Sequence, residues 1–282
     1  MTVSVIIPTY NAKRFLPRLI KKLKEQTIFP FEILIVDSSS PDGSAELAQS
    51  LGAQVFVIPK EEFNHGTTRT LAGKRARGEI LVYLTQDALP AQREAIEKLI
   101  APLGKDKIAI SYGRQIPTSD VGFLAALHRS FNYPSQSRVF SLEDRTRFGL
   151  RTVFCSNSFA AYWREALEEI GWFKTLPCSE DVHATARLIL HGWRLAYVAE
   201  AQVYHAHQLS LREEFRRYYR LGRFYRQEAW ILKEFGRVEN EGQRYIKFVL
   251  RHLWRQGRWA LIPYFFLQTG IRYLGYQLGR RF

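Results

Sequence analysis

Acidic and histidine side chains give this sequence its clearest capacity for chemistry. Glu180 and Asp181 are neighbouring carboxylates, Asp87 follows an apolar run, and His205 lies 24 positions after Asp181. A carboxylate can take a proton from a hydroxyl group, and carboxylate and imidazole groups bind divalent cations. The alternative is that Glu180 and Asp181 start a helix, where acids are favourable, and that His205 is structural.

Polar residues also follow three apolar runs in the first part of the chain. The three sets are Thr9 to Asn11, Asp37 to Ser39, and Thr85 to Asp87. In a parallel α/β sheet, ligands bind beyond the carboxyl ends of the strands, so these sets are candidates for one binding site. Asp37 has a simpler alternative explanation, because aspartate commonly caps a turn.

Residues 63–69 (FNHGTTR) contain a further candidate site at a predicted helix start. Free N–H groups at the start of a helix bind phosphate, and an arginine side chain strengthens such a site. Gly66 and Arg69 could therefore face a diphosphate. The alternative is a capped helix that carries a surface arginine.

Apolar runs alternate with helical patterns over the first 115 residues, which predicts a mostly parallel sheet covered on both faces. We expect strands at 3–7, 32–37, 55–58, 79–84 and 108–112, and helices at 12–26, 44–51, 66–76 and 92–101. Residues 116–150 have only a weak helical pattern and are expected to form an irregular insertion. A strand at 158–162, a helix at 181–191 and two strands at 195–198 and 202–205 follow.

Two segments, residues 5–11 (VIIPTYN) and 35–44 (IVDSSSPDGS), resemble the start of family 2 glycosyltransferases with the GT-A fold. The resemblance implies an α/β, Rossmann-like, mostly parallel twisted sheet flanked by helices. It also implies a pocket for the nucleobase and ribose of a nucleotide-sugar donor. The residues implied in that pocket are Pro8, Thr9, Tyr10, Asp37 and Ser39.

Residues 63–69 are similar to the Asn-His-Gly-x-x-Arg stretch of bacterial rhamnosyltransferases within this family. The resemblance implies that His65 and Arg69 contact the donor, with Arg69 at its diphosphate. It further implies that the donor is deoxythymidine-diphosphate-rhamnose. Galactofuranosyl or mannosyl transfer from a uridine- or guanosine-linked donor is the alternative.

Residues 85–87 (TQD) match the Asp-x-Asp motif of the family at the end of the fourth strand. The resemblance implies that Asp87 binds a Mg²⁺ or Mn²⁺ ion that bridges the donor phosphates, and that Gln86 lies at the donor. Thr85 replaces the first carboxylate of the motif, so one acidic ligand fewer is expected. His205 matches a histidine that some members use as a metal ligand, and His207 is a weaker candidate.

Residues 180–205 resemble the family's Glu-Asp region, in which a helix, a Gly-Trp/Tyr-x-Leu stretch, a strand and a histidine follow the acids. The resemblance assigns Asp181 as the catalytic base of an inverting transfer. In that role Asp181 takes the proton of the acceptor hydroxyl while the hydroxyl oxygen attacks the anomeric carbon. Glu180 orients the acceptor or supports Asp181.

The net charge is concentrated in the last part of the chain. The 282 residues carry 41 Lys or Arg and 27 Asp or Glu, a formal charge of +14, and 46% are hydrophobic, which excludes bulk disorder. Residues 208–282 hold +10 and residues 1–207 only +4. We therefore expect a GT-A domain over 1–207 and a basic, aromatic helical extension over 208–282.

The sequence leaves several interpretations of the extension open. Its aromatic and basic residues suit an anionic membrane or a polyprenyl-diphosphate-linked acceptor, whereas packing against the domain is the simplest alternative. Nucleic acid is not expected, because the first 207 residues hold little excess charge.

Two cysteines give no disulfide scaffold, and neither a signal peptide nor a membrane span is predicted. The protein is expected in the cytoplasm at the inner face of the cell membrane.

The sequence thus predicts an enzyme that moves a sugar from a nucleotide donor to a saccharide or lipid-linked saccharide during surface polysaccharide synthesis. A non-catalytic, basic interaction protein on a degenerate transferase domain is the competing class. Thr85 favours that class, and the retained Asp87, Asp181 and His205 favour the enzyme.

Overall fold

The fold is given by a computed structural model that describes residues 1–28, 30, 32–118, 121–205 and 208–282. Within these ranges there are nine strands: β1 (Val3–Thr9), β2 (Glu32–Asp37), β3 (Gln54–Val57), β4 (Ile80–Leu84), β5 (Leu89–Pro90), β6 (Ile108–Ile116), β7 (Arg138–Phe140), β8 (Phe159–Trp163) and β9 (Arg194–Tyr204). The central strands are nearly continuous apolar runs, as required where both faces of a sheet are covered.

Twelve α-helices are present in the same described ranges. They are α1 (Leu16–Lys24), α2 (Ser44–Ser50), α3 (His65–Arg75), α4 (Ala95–Ile100), α5 (Phe123–Asn132), α6 (Arg145–Phe148), α7 (Arg164–Glu169), α8 (Glu180–Leu190), α9 (Leu211–Gln227), α10 (Ala229–Phe235), α11 (Val238–Arg255) and α12 (Ile262–Arg281). The predicted elements of the first 115 residues are therefore present, with ends that differ by a few residues.

One mixed sheet contains all the described strands. Its order is β3-β2-β1-β4-β8-β6-β9-β5, and β7 also pairs with β9. β1 to β4 pair in parallel as predicted, whereas β8 is antiparallel to β4 and β6. β9 returns to a parallel pairing with β6. The later strands are therefore mixed in direction.

Two core clusters lie on opposite faces of the sheet. Alternate residues of one strand enter different clusters: Ile6 lies in one, and Val5 and Ile7 lie in the other. This alternation follows from the two-residue repeat of a strand. Helices on both faces complete the layers, which gives the predicted α/β architecture.

Two expectations about the middle of the chain are wrong. Residues 116–150 are not irregular, because they contain α5, β7 and α6. Residues 195–198 and 202–205 do not form two strands, since β9 runs unbroken from Arg194 to Tyr204 with an irregular register against β6. α5 packs on α11, where Leu124, Leu127 and Val249 share a small third core cluster.

Helices α9 and α12 pack closely because glycines lie between them. A Cβ atom on Gly275 would lie 2.6 Å from the Phe215 carbonyl oxygen, and one on Gly222 would lie 2.3 Å from that of Tyr276. A two-bond ion pair joins the same helices, with Arg272 Nε donating to Glu214 Oε2 at 3.0 Å. Both side chains of this ion pair are buried. α9 is therefore held firmly by α12.

The described residues contain no helix that combines the length and the apolar character needed to cross a bilayer. α12 is 20 residues long, but Gln268 and Arg272 are buried on one of its sides. Its close packing on α9 accounts for these polar residues.

The glycine packing predicts opposite effects for two substitutions in α12. Gly275→Ala places a methyl group against the α9 backbone and is expected to lower the free energy of unfolding by about 1–3 kcal/mol. Gly270→Ala is the matched control, because a Cβ there meets no atom within 4 Å, and it is expected to raise stability by up to ~1 kcal/mol. Urea unfolding of both variants measures the difference, and equal stabilities would contradict the close packing.

Candidate active site

The predicted site residues meet at one edge of the sheet. β1, β2 and β4 end there, and Thr9 lies directly opposite Asp37 in the register. β8 runs antiparallel to β4, so its first residues lie at the same edge beside Thr85. β6 and β9 end there as well, and the His205 amide donates to the Ile116 carbonyl. The mixed topology thus brings together residues that are up to 200 positions apart.

Asp37 is buried and both of its oxygens accept hydrogen bonds. Oδ1 accepts from the Thr9 hydroxyl at 3.0 Å and from the Ser40 hydroxyl at 2.6 Å, and Oδ2 accepts from the Ser40 amide at 2.7 Å. The simpler explanation, that Asp37 caps its turn, therefore describes these contacts. Pro8 is half-buried beside it, and the exposed Ser39 donates to the Ile58 carbonyl at 2.8 Å.

Gln86 joins the ends of β1 and β4. Its Oε1 accepts from the Tyr10 amide at 2.9 Å, and its Nε2 donates to the Tyr10 carbonyl at 3.1 Å. Lys60 donates to the Tyr10 hydroxyl at 2.6 Å and lies 4.4 Å from the ring centre. Gln86 therefore positions Tyr10, and Lys60 adds a cation that the sequence analysis did not identify.

The start of α3 is capped. Asn64 Oδ1 accepts from the amides of Gly66 and Thr67 at 2.9 and 3.3 Å. Gly66 is needed because a Cβ there would lie 2.1 Å from the Lys174 carbonyl oxygen. The expectation that these N–H groups are free to bind a diphosphate is wrong, and the capped-helix alternative describes them. The signal was present in the sequence, since asparagine is a favoured residue before a helix.

Arg69 lies inside the protein and pairs with Glu180. Its NH1 donates to Glu180 Oε1 at 2.9 Å, and both side chains are under 7% exposed. The same NH1 lies 3.0 Å from His65 Nδ1. Because arginine can only donate, Nδ1 of His65 accepts, and the imidazole carries its proton on Nε2. Contact between Arg69 and a donor diphosphate would require this buried pair to open.

The neighbouring carboxylates have opposite protonation tendencies. Burial alone would raise the pKa of Glu180, but the positive charge of Arg69, aided by the hydrogen bond from Asn157, outweighs burial and holds this pKa below its usual range. Burial, followed by the negative charge of Glu180, raises the pKa of Asp181 to about 7. Adjacent acids whose pKa values are driven apart are typical of acid–base sites.

Asn157 holds both carboxylates in place. Its amide N–H donates to Asp181 Oδ2 at 3.1 Å, and its side-chain Nδ2 donates to Glu180 Oε1 at 3.1 Å. The Tyr162 hydroxyl donates to Asn157 Oδ1 at 2.8 Å. Ser179, just before the acids, has a left-handed φ of 60°, which costs energy and persists only in a constrained site. β8 thus fixes the geometry at the start of α8.

Asp87 and His205 are brought together as predicted. His205 Nε2 lies 3.4 Å from Asp87 Oδ1, and His205 Nδ1 lies 2.8 Å from Gln115 Oε1. Arg129 donates to the same Gln115 oxygen, and Gln115 Nε2 donates to Ser156. Gln115 Oε1 is therefore an acceptor, so His205 donates from Nδ1 and its Nε2 faces Asp87. His207, the weaker candidate, lies outside the described residues.

Some of these residues line one cleft of about 1470 Å³. The other predicted site residues are not among its lining residues: Pro8, Thr9, Tyr10, Asp37, Ser39, Arg69, Gln86 and Glu180. The sheet edge and the loops beside it contribute His65, Thr85, Asp87, Asp181 and His205. Helices α5, α9 and α12 contribute Arg129, Arg217, Arg220 and Gln268. Residues of 1–207 and of 208–282 thus share the cleft, and the division of the chain at residue 207 stays a prediction.

The sequence analysis missed the residues that support the site. Gln115 and Arg129 act through His205, and Asn157 acts through the two acids. None of them lies in a segment that the sequence analysis above identified as a candidate site. Gln115 had one usable signal: it is a polar residue at the end of an apolar strand.

Solved structures share this architecture. The mannosyltransferase PcManGT from Pyrobaculum calidifontis, solved with GDP-Man and Mn²⁺, has a TM-score of 0.67 at 17% identity, over 99% of this chain and 87% of that one. Staphylococcus aureus TarS with UDP-GlcNAc has a TM-score of 0.59 at 19% identity, over 90% and 73%. At these identities the similarity concerns the fold, and it confirms the predicted GT-A architecture.

Sequence relatives carry the family assignment. The O-antigen chain rhamnosyltransferase RfbN of Salmonella typhimurium is 40% identical over 99% of this chain and 90% of its own. WbaN of Salmonella anatum, an enzyme with the same description, is 37% identical over 98% and 89%. The model of the family described as glycosyl transferase family 2 matches residues 4–171, more than half of the sequence. The predicted resemblance is thereby confirmed, and the chain belongs to glycosyltransferase family 2.

Proposed function

We propose that this glycosyltransferase transfers rhamnose, with inversion, from deoxythymidine-diphosphate-rhamnose to a saccharide or lipid-linked saccharide of a surface polysaccharide. The observation that supports the mechanism is the pKa of Asp181, which burial and the ionised Glu180 raise to about 7. The observation that supports the sugar is the identity of 40% and 37% to two enzymes named O-antigen chain rhamnosyltransferases.

Asp181 is the proposed catalytic base. Its carboxylate takes the proton of the acceptor hydroxyl as that oxygen forms a bond to the anomeric carbon. The bond between the anomeric carbon and the diphosphate breaks on the opposite side, and its electrons leave with the nucleotide. Glu180 has both Arg69 and Asn157 on its Oε1, so it supports Asp181 rather than taking the proton itself.

Asp87 and His205 are the proposed ligands of a Mg²⁺ or Mn²⁺ ion. Two ligands at 2.0–2.6 Å from one cation are about 3 Å apart, close to the 3.4 Å observed. Thr85 beside them has a buried hydroxyl oxygen without a hydrogen-bond partner among the described residues, so a polar group fits there. The bound ion would stabilise the charge of the departing diphosphate. Gln115 would keep the His205 ring in its ligating tautomer.

The nucleoside end of the donor is proposed to lie at the ends of β1 and β2. Tyr10 offers a half-buried ring, and Asp37 and Thr9 form the polar floor. His65 lines the cleft and donates from Nε2. A uridine- or guanosine-linked donor would use the same ring and carboxylate, so donor identity is decided by measurement of turnover.

An anionic membrane is the proposed docking surface for the C-terminal helices. Eight of the twelve exposed large apolar residues in the described part of the chain lie between positions 254 and 282. We call these eight exposed large apolar residues the aromatic surface: Trp254, Trp259, Tyr264, Phe266, Leu267, Tyr273, Leu274 and Phe282. Large exposed apolar patches mark interaction sites, and aromatic residues favour the membrane interface.

Charge and position both support a lipid partner for the aromatic surface. Arg251, Arg255 and Arg258 are exposed beside the two stacked tryptophans, and basic residues are attracted to anionic lipid headgroups. Tyr264 of this surface also lines the catalytic cleft. A lipid-linked acceptor could therefore place its saccharide in the cleft while its lipid stays in the bilayer. This docking would hold the protein at the cytoplasmic face of the membrane.

Transfer should depend on Asp181 and on pH. Asp181→Asn is expected to lower kcat at least ~10²-fold, with donor affinity unchanged. In the wild type, kcat/KM should rise as pH increases through about 7, because the carboxylate accepts a proton only when ionised. Glu180→Gln removes a negative charge, so the pKa of Asp181 falls and the rise should move to lower pH. A rise that stays at the same pH in Glu180→Gln would contradict this coupling.

The donor and the metal are tested together with a panel of nucleotide sugars. We expect turnover of deoxythymidine-diphosphate-rhamnose with Mg²⁺ or Mn²⁺ in preference to uridine- and guanosine-linked sugars. Asp87→Ala should weaken metal-dependent binding of thymidine diphosphate by at least ~10-fold, whereas the exposed Glu165→Ala serves as the control. The proposed function would be wrong if the folded wild type turned over no donor of the panel.

Membrane docking is tested by co-sedimentation with vesicles of phosphatidylglycerol and phosphatidylcholine. Phe266→Ser with Leu267→Ser should lower binding to the anionic vesicles at least ~10-fold, because each buried apolar side chain contributes about 1.5–3 kcal/mol. Leu190→Ser is the control, as Leu190 is an exposed residue at the end of α8. Unchanged vesicle binding, or a change of oligomeric state instead, would contradict a membrane partner.

A further inference from the structure

Helix α9 turns three arginines toward the catalytic cleft. Arg216, Arg217 and Arg220 are exposed and line it, and their three- and four-residue spacing places them on one side of the helix. None of the three forms an ion pair with a carboxylate in the part of the chain that the structure describes. Neighbouring like charges repel one another, so an anion in the cleft would stabilise this group.

Several other arginines at or near the cleft are already engaged. Arg69, which is buried and not among the residues that line the cleft, pairs with Glu180. Arg151 and Arg272 line the cleft and pair with Glu241, at 2.7 Å, and with Glu214. The arginine that the sequence assigned to a diphosphate is therefore occupied. A diphosphate in the cleft could reach the cations of α9 without opening a buried ion pair.

Two of these arginines are close enough to residues of the candidate active site to affect their pKa values. Burial, followed by the charges of Arg69 and Arg220, lowers the pKa of His65 against the opposing effect of Glu180. Burial also lowers the pKa of Arg129, which Arg217 lowers further and Asp87 opposes. Arg220 is thus close enough to act on His65, and Arg217 is close enough to act on Arg129.

The arginines are carried by a fixed element. The glycine packing and the buried pair of Glu214 with Arg272 hold α9 against α12. Glu214 lies three positions before Arg217, so the firm contact and the cleft arginines share adjacent turns. The charge of the C-terminal extension is therefore partly inside the catalytic cleft and not only on the outer surface.

We propose that Arg217 and Arg220, with Arg216 at the margin, form a diphosphate-binding site. A planar guanidinium donates two parallel hydrogen bonds to phosphate oxygens, which makes arginine well suited to this group. The proposal rests on the proposed function, because it is sugar transfer that brings a diphosphate to the cleft. Two sources share this chemistry: the departing nucleoside diphosphate, and the diphosphate of a lipid-linked acceptor.

Equilibrium binding of two probes to the full chain tests the site. The probes are thymidine diphosphate with Mn²⁺ and farnesyl diphosphate. Arg217→Gln with Arg220→Gln is expected to weaken at least one of them by roughly 10-fold or more. Arg223→Gln is the matched control, because Arg223 is exposed on the same helix but does not line the cleft. Thermal unfolding of each variant verifies that it is folded.

The outcome also distinguishes the two sources. Weaker binding of thymidine diphosphate assigns the site to the donor, and weaker binding of farnesyl diphosphate alone assigns it to the acceptor. Unchanged affinity for both probes in a folded double variant would contradict the proposal that these arginines bind a diphosphate. Because binding needs no turnover, a loss of affinity in a protein that transfers no sugar would leave the site standing while the proposed function failed.

Discussion

The buried ion pair between Arg69 and Glu180 is the interaction on which the candidate site depends. It joins α3 to the start of α8 across 111 positions of sequence. Removal of one partner would leave an uncompensated charge in the interior, which costs about 3–5 kcal/mol. The pair keeps Glu180 ionised, and that fixed negative charge, added to burial, makes Asp181 a stronger base. A contact that stabilises the fold therefore also sets the chemistry of the neighbouring residue.

The mixed sheet explains how so many distant residues reach one place. Parallel strands bring the residues after β1, β2 and β4 to a common edge, and the antiparallel β8 brings Asn157 to it from the opposite direction. The parallel pairing of β6 and β9 adds Gln115 and His205. A purely parallel sheet would have required further crossover helices to do this. The C-terminal helices then close one side of the cleft with arginines.

Sequence patterns predicted what is local and missed what is distant. The strand ends at Asp37 and Leu84 were predicted, and the first strand was predicted to end two residues before Thr9, because apolar runs and the polar residues after them are neighbours in the chain. The approach of Asp87 to His205 followed from family resemblance. The partner of Arg69 could not be predicted, since no local pattern indicates which acid a buried arginine will meet. The glycines of α9 and α12 also gave no sequence signal of close packing. Their role is visible only when the positions of both helices are known.

The central claim is that Glu180 stays ionised while Asp181 titrates near neutrality. It is tested most directly by carbon-13 NMR of the protein with labelled aspartate and glutamate carboxyls, with the Asp181 signal assigned from its loss in Asp181→Asn. We predict a midpoint for Asp181 at about pH 7 and a Glu180 carboxyl that titrates below its ordinary range. An Asp181 midpoint near the ordinary aspartate value of about 4 would contradict the account.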